Sequence, residues 1–301
     1  MYDIICIGNI SVDLYFKGDS LTKTNERFEL AIGGKYFSDF FQIDIGGGAA
    51  NAASGLSKFD YRVAVFAKIG NNSFKQIILN KLQEKKISSE LCDFVENYYK
   101  ISAILLTNKG ERTIINYETP SHLYRQFLLN EKLKVSKNIY IGPLPHVPLS
   151  EKKKMISFFK GDNVLTIVNL AANDCDQDAS ELNEIFQSLD ILIVNAHEFS
   201  QLIKIPYKQI IFKNNNLFNI STLKNKIVVV TDAEKGSYGY YDNKIVYQSA
   251  IKPEKIIDTT GAGDGYTAGF IAEYLKTKDV EKAMQSGAKY AVIVLGKIGA
   301  N

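Results

Sequence analysis

The chain has 301 residues, enough for one large core or two small ones. Its hydrophobic fraction of 46% and charged fraction of 23% are ordinary for a globular protein, and no apolar run approaches the ~18 residues of a bilayer span. The 36 basic and 33 acidic residues leave a net charge of +3, too small a bias to argue for nucleic acid as a partner. The N-terminal residues lack a basic flank and a small-residue cleavage site, so a cytoplasmic location is expected. Cys6, Cys92 and Cys175 are dispersed and odd in number, which argues against a disulfide framework and a zinc site.

In chain order, short apolar runs at residues 4–8, 63–67, 138–141, 164–168, 191–194 and 227–230 read as buried strands. Helical patterns lie between and after them, at 49–58, 73–86, 181–189 and 263–275. Ser73 reads as the N-cap of the second, and the run Lys152, Lys153, Lys154 as a solvated helix face. Strands alternating with helices predict an α/β domain around a mostly parallel sheet covered on both faces.

Two regions break the alternation. Residues 13–45 are rich in aromatics, among them Tyr15, Phe16, Tyr36, Phe37, Phe40 and Phe41. Residues 101–118 hold two strand-like runs joined by the turn signal Asn108, Lys109, Gly110, Glu111. Both regions predict an accessory β-sheet acting as a lid. The remaining segments, 1–12, 46–100 and 119–301, would form the core. A polar run at Asn214, Asn215 and Asn216 reads as a loop.

The most informative stretch spans residues 258–270. A polar turn holding Gly261 and Gly263 runs straight into a helical pattern, with Asp264 in its first turn. Unpaired N–H groups and the positive dipole end at such a start suit an anion such as phosphate. A carboxylate beside that nest can accept a hydroxyl proton while the amides stabilise a transferring phosphoryl group. Taken alone, an acid at a helix start also has a bland reading, since it favours the dipole. No Walker pattern surrounds Gly34 and Lys35, no protein-kinase set is present, and Gly46, Gly47 and Gly48 lie too far from the first strand for a dinucleotide fingerprint.

Residues 258–270 closely resemble the second signature of the ribokinase family, also called the PfkB family of carbohydrate kinases. Residues 45–53, followed by the strand run ending at Gly70, resemble its first signature. Residues 8–13 resemble its first strand with a sugar-contacting acid, and residues 110–113 its lid hairpin. Residues 195–198 resemble its Asn-x-x-Glu motif, and residues 229–236 its nucleotide loop. These segments keep the family's order along the whole chain.

The resemblance implies a three-layer ribokinase-like α/β fold with a small β-sheet lid. It also implies ATP-dependent phosphorylation of a hydroxyl on a small sugar, or alternatively on a nucleoside. Asp264 would be the catalytic base, and the amides of Gly261, Ala262 and Gly263 would hold the phosphoryl group. Asp13, Gly47 and Asn51 would bind acceptor hydroxyls. Asn195 and Glu198 would organise Mg2+, Glu198 through water, and Thr231 and Gly236 would lie near ATP. Asp258 and Thr260 would offer backbone oxygens to a monovalent cation such as K+.

Read without the resemblance, Asp13 also fits a turn, Asn51 a helix start and Glu198 a solvated helix face. Paired Asp and Asn side chains do suit a polyol. A non-catalytic sensor of sugar or nucleotide is a further reading, but an intact Asp264 within its glycine turn argues against it. The family usually places an apolar residue at 232 and glycine at 233, where this chain has Asp232 and Ala233. The chain stops at Asn301, where many members continue, so an abbreviated adenine pocket and cation site are expected. A homodimer paired through the lids is a further expectation.

Overall fold

The computed structural model of the chain describes residues 1–18, 23–24, 27–107, 111–120, 135–159, 163–214 and 220–300. Strand β1 (Ile4–Ile7) is buried along its whole length, as a non-alternating apolar run requires when both faces of its sheet are covered. It runs through the middle of a nine-stranded sheet with β6 (Val63–Phe66), β8 (Ile87–Ser88), β12 (Asn138–Ile141), β13 (Leu165–Asn169), β14 (Ile191–Asn195), β15 (Ile227–Thr231), β16 (Ser237–Tyr241) and β17 (Lys244–Gln248). The spatial order is β17-β16-β15-β14-β13-β12-β1-β6-β8. Pairing is parallel from β15 to β8, and the β15–β16 and β16–β17 pairs are antiparallel.

Alternate residues of these strands serve two cores. Cys6, Val65, Tyr140, Ile167 and Ile193 pack under helices α1 (Gly48–Ser57), α2 (Lys75–Glu84), α7 (Ala262–Thr277) and α8 (Val280–Leu295). Ile7, Phe66, Ile141, Val168 and Val194 face α3 (Leu149–Phe159), α4 (Ala172–Cys175), α5 (Ala179–Ser188) and α6 (Ala196–Ile203). Helix, sheet and helix form the three layers expected.

A separate sheet has the order β11-β10-β2-β5, from β2 (Ser11–Lys17), β5 (Phe40–Gly46), β10 (Lys100–Leu106) and β11 (Arg112–Glu118). The central pair, β2 and β10, is parallel, and the outer pairs are antiparallel. The regions expected to form a lid are therefore a sheet of their own and not edge strands of the main one. Short pairs complete the strands: β3 (Lys23–Thr24) with β4 (Arg27–Phe28), and β7 (Lys68–Gly70) with β9 (Asp93–Val95). The turn residues 108–110 and residues 215 and 216 of the expected polar loop lie outside the described residues.

Two local expectations change. Ser73 does not cap α2; Asn72 Oδ1 instead accepts the Phe74 amide at 2.9 Å, one residue earlier in the chain. Lys152 is not on a solvated face. It is 3% exposed, and its Nζ donates to both carboxylate oxygens of buried Asp174 at 2.5 Å. Leu149, Lys152, Met155, Ile156 and Phe159 form the buried stripe of α3, so helical spacing turns Lys152 inward where Asp174 compensates its charge. Among the described residues, no helix is long and apolar enough to cross a membrane.

Candidate active site

Helix α7 begins at Gly261, whose φ of 73° is left-handed. A Cβ there would also lie 2.1 Å from the Ala300 Cβ, so only glycine fits the turn. Gly263 is different. A Cβ built on it meets nothing within 4 Å, so the first turn of α7 faces open space. Sixteen residues of helix stand behind those unpaired amides.

Asp264 sits half-buried in that first turn and accepts a 2.7 Å hydrogen bond from Asn51 Nδ2. Burial pushes its carboxyl up to about 6, against the lowering effect of Asn51. No local pattern around Asp264 foretells so large a rise. Asn51 itself is 7% exposed, and its backbone amide donates to Gly47 O at 2.9 Å, which opens α1.

Asp13 lies within β2, not in the turn that its residue type alone also allowed, and is 4% exposed. Ser11 Oγ donates to its Oδ1 at 2.7 Å, and the Tyr15 hydroxyl lies 3.5 Å from Oδ2. Burial raises the Asp13 carboxyl above its ordinary value, opposed by hydrogen bonds from Ser11, Ser102 and Tyr15. Its cross-strand neighbours are Asp44 and Ser102. A Cβ at Gly46 would lie 2.0 Å from Asp13 Oδ2, so the glycine run at the start of α1 is what leaves room for this carboxylate.

At the far side of the sheet's C-terminal edge, Asn195 ends β14 and caps α6. Its Oδ1 accepts the amides of His197 and Glu198 at 2.9 Å, and Glu198 Oε2 accepts the Asn195 amide at 2.8 Å. Locally the Asn-x-x-Glu motif is therefore a reciprocal capping box. Glu198 is half-buried, not solvated. Burial leads the rise of its carboxyl to about 7, with the Asp264 charge adding to it. Among the described residues, two buried side-chain polar atoms have no hydrogen-bond partner, Tyr140 Oη and Asn169 Oδ1. Burial leads the rise of the Tyr140 hydroxyl well above its ordinary value, with the Asp264 and Glu198 charges adding to it. Oxygen donors with one carboxylate suit Mg2+, which takes few protein ligands and the rest from water and phosphates. Among the described residues, no group of three His, Cys, Asp or Glu side chains could hold a metal alone.

Thr231 pairs in register with Asn195, so the loop after β15 lies beside that capping box. In this loop the Asp232 amide donates to Gly236 O at 2.7 Å. Gly236 has φ 94° and no room for a Cβ, which would lie 2.2 Å from Gln248 O. Ala233 has φ 45°, a left-handed conformation that the glycine expected from the resemblance would adopt without strain. Asp232 is 8% exposed and turns away to Tyr207, whose hydroxyl donates to it at 2.7 Å. Beyond the loop, Ser237 Oγ meets the Tyr266 hydroxyl at 2.8 Å, linking β16 to α7 two residues after Asp264.

Asp258 is fully buried below the turn. Its carboxylate takes the Thr260 amide at 2.8 Å, the Thr260 hydroxyl at 2.6 Å and the Gly299 amide at 3.0 Å. Between them Thr259 is exposed and accepts from Arg112, reaching over from β11 of the small sheet.

A family model described as "pfkB family carbohydrate kinase" matches residues 1–301. The chain belongs to the PfkB family. It is therefore a phosphotransferase with a hydroxyl acceptor, a sugar or nucleoside kinase of ribokinase type. It is similar to the nucleoside kinase of Methanocaldococcus jannaschii, at 27% identity over 98% of this chain and 91% of that protein. A ribokinase of Arabidopsis thaliana is 24% identical over 99% of this chain and 77% of that one. The solved structure of Arabidopsis thaliana ribokinase with ribose and ATP shares the fold, with a TM-score of 0.78 at 22% identity, over 99% of this chain and 94% of that one.

This PfkB chain brings Asp13, Gly47, Asn51, Gly261, Ala262, Gly263 and Asp264 to one end of the sheet, and Asn195, Glu198, Thr231 and Gly236 along the same edge. The motifs did not disclose several contacts. Asn51, expected to face an acceptor, is committed to Asp264 through its amide nitrogen. Arg112 was visible as an arginine, but its direction was not. Tyr207 carried no signal except its place a few residues after the Asn-x-x-Glu helix.

Proposed function

We propose that this kinase transfers the γ-phosphoryl group of Mg-ATP to a hydroxyl of a small sugar. The observation that carries the reading is Asp264 held by Asn51 at the mouth of an open cradle of α7 amides. In this reading Asp264 takes the acceptor's proton as the oxygen attacks phosphorus. The amides of Gly261, Ala262 and Gly263 hold the equatorial oxygens as charge moves onto the ADP leaving group.

Asp13, Gly47 and the Asn51 carbonyl oxygen would grip the acceptor's other hydroxyls. A buried carboxylate ringed by Ser11, Ser102 and Tyr15 supports a polyol, because those donors fix the carboxylate and leave lone pairs to accept from sugar hydroxyls. Thr231 and Gly236 would line ATP. Asn195 and Glu198 would hold Mg2+ waters, and the ion would supply charge neutralisation at the phosphates. Backbone oxygens of Asp258 and Thr260 would take K+.

The small sheet, with residues 13–45 and 101–118, acts here as the lid. Arg112 touching Thr259 supports closure over the anion cradle, which would exclude water. The exposed face of β11, with Ile115 at 57% and Tyr117 at 58%, supports pairing of two lids in a homodimer. Light scattering checks this, and a monomer at assay concentration counts against it.

A nucleoside acceptor is the second reading. It is favoured by the relative named nucleoside kinase and by Phe37 and Phe41, which stay exposed on the lid side and not packed to the core. Tyr15 and Phe40, by contrast, do pack with Ile104, Leu106 and Ile298. ADP release measured against a mixed panel of neutral sugars, sugar acids and nucleosides decides between the readings. Thermal stabilisation by a ligand without ADP release would replace both with a non-catalytic sensor.

A further inference from the structure

Tyr207 joins the two loops that border the nucleotide side of the site. Its hydroxyl donates to Asp232 Oδ1 at 2.7 Å and accepts from Lys235 Nζ at 2.5 Å. The Lys235 ammonium also lies 4.7 Å from the Tyr207 ring centroid. The Tyr207 ring also sits 4.6 Å from that of His197, the residue before Glu198. One hydroxyl thus bridges a buried carboxylate and an exposed ammonium that belong to the same five-residue turn.

That turn needs holding. Ala233 sits at φ 45°, where a side chain crowds the following carbonyl. An alanine keeps this conformation only where its surroundings impose it. Besides Tyr207, the Tyr247 hydroxyl donates to Lys235 O at 3.0 Å. Tyr207 differs from Tyr247 in that it reaches the helix carrying Asn195 and Glu198 as well as the turn. At 8% exposure the Asp232 carboxylate needs a donor, and the Tyr207 hydroxyl supplies one.

We propose that Tyr207 is a positioning residue for the nucleotide: its hydrogen bond to Asp232 holds residues 232–236 in the shape that meets ATP, in register with the Asn195–Glu198 cap. The proposal rests on the kinase reading given above. It involves no contact between Tyr207 and the reacting atoms, so its effect belongs in nucleotide affinity and not in the chemical step.

The test is Tyr207→Phe, which removes only the hydroxyl. The KM for ATP and the Kd for ADP should both rise about tenfold, the scale of a lost hydrogen bond to a charged group. The KM for the acceptor and kcat at saturating ATP should stay within about twofold. Amide exchange at residues 232–236 should speed up in the variant. Ala233→Gly in the same background should recover much of the ATP affinity, because glycine adopts the left-handed conformation without the strain that the tyrosine hydroxyl otherwise offsets.

Unchanged ADP affinity, or a fall in kcat with KM for ATP unaltered, overturns the proposal. So does unchanged exchange in the turn. A wild-type protein with no affinity for ATP or ADP overturns the kinase reading along with it. That failure is recognisable because exchange in the turn would still rise in Tyr207→Phe.

Discussion

The Asn51 side-chain amide donates to Asp264 Oδ2 at 2.7 Å, joining α1 to α7 across 213 residues of sequence. This bond and burial pull the Asp264 carboxyl in opposite directions, and burial prevails, leaving it near 6. A carboxylate with that value is ionised at neutral pH yet would hold a proton well enough to serve as the proposed base.

The turnover number should therefore fall as pH drops through about 6 and level off above it. Asn51→Ala removes a donor that favours the charged form, so its acid limb should move to higher pH. A pH–rate profile at saturating substrates checks both. An acid limb that stays in place in Asn51→Ala contradicts the role given to that bond.

Asp264→Asn should reduce kcat by about 10²–10⁴ or more while ATP binding persists. The same change should stabilise the fold near neutrality. The folded carboxyl holds its proton more tightly than an ordinary one at 3.8, so stability is lost as pH rises from there through about 6. Melting temperatures should favour the Asn variant at pH 8 and converge with wild type near pH 4. Near-normal turnover in this variant would remove Asp264 from the mechanism.

Two glycines in one turn should separate folding from function. Gly261→Ala places a methyl 2.1 Å from Ala300 at a left-handed φ, so roughly 2 kcal/mol or more of stability should be lost. Gly263→Ala meets only open space, so its melting temperature should stay near wild type. Its activity should still drop, because the methyl occupies the anion cradle. Full activity in Gly263→Ala would mean that phosphate sits elsewhere.

Ala233→Gly should stabilise the protein by roughly 0.5–1 kcal/mol. Relief of about 1–2 kcal/mol at φ 45° outweighs the ~0.4–1 kcal/mol that glycine adds to unfolded-chain entropy. Urea denaturation measures the difference. A destabilised variant would show that the turn is not strained.

Lys152→Met should cost about 3–5 kcal/mol, since it strands the Asp174 carboxylate, 2% exposed, without its cation. Adding Asp174→Asn should recover a large part of that loss. Independent, additive losses in the double variant would show that the pair is not coupled.

The strands and helices were legible because they are local. Apolar runs such as that of β1 and the helical spacing of α7 declare themselves within a dozen residues. Glycine at 261 announced its turn, and the small sheet was foreshadowed by aromatic and alternating runs. Ser73 and Lys152 were misread. At the start of α2, Asn72, as good a cap by residue type, takes the Phe74 amide one residue earlier; on α3, helical spacing turns Lys152 inward, and Asp174, 22 residues along the chain, compensates its charge.

Sequence by itself determined the fold class, the family and the identity of the carboxylate in the glycine turn, because short-range geometry and ordered motifs encode them. The tertiary structure alone decided that Asn51 serves Asp264, that Arg112 reaches Thr259 and that Asp232 turns to Tyr207. Each of these is a hydrogen bond between segments that only chain topology brings together. The burial that lifts Asp264 is likewise a sum over the surrounding elements, which no local pattern records.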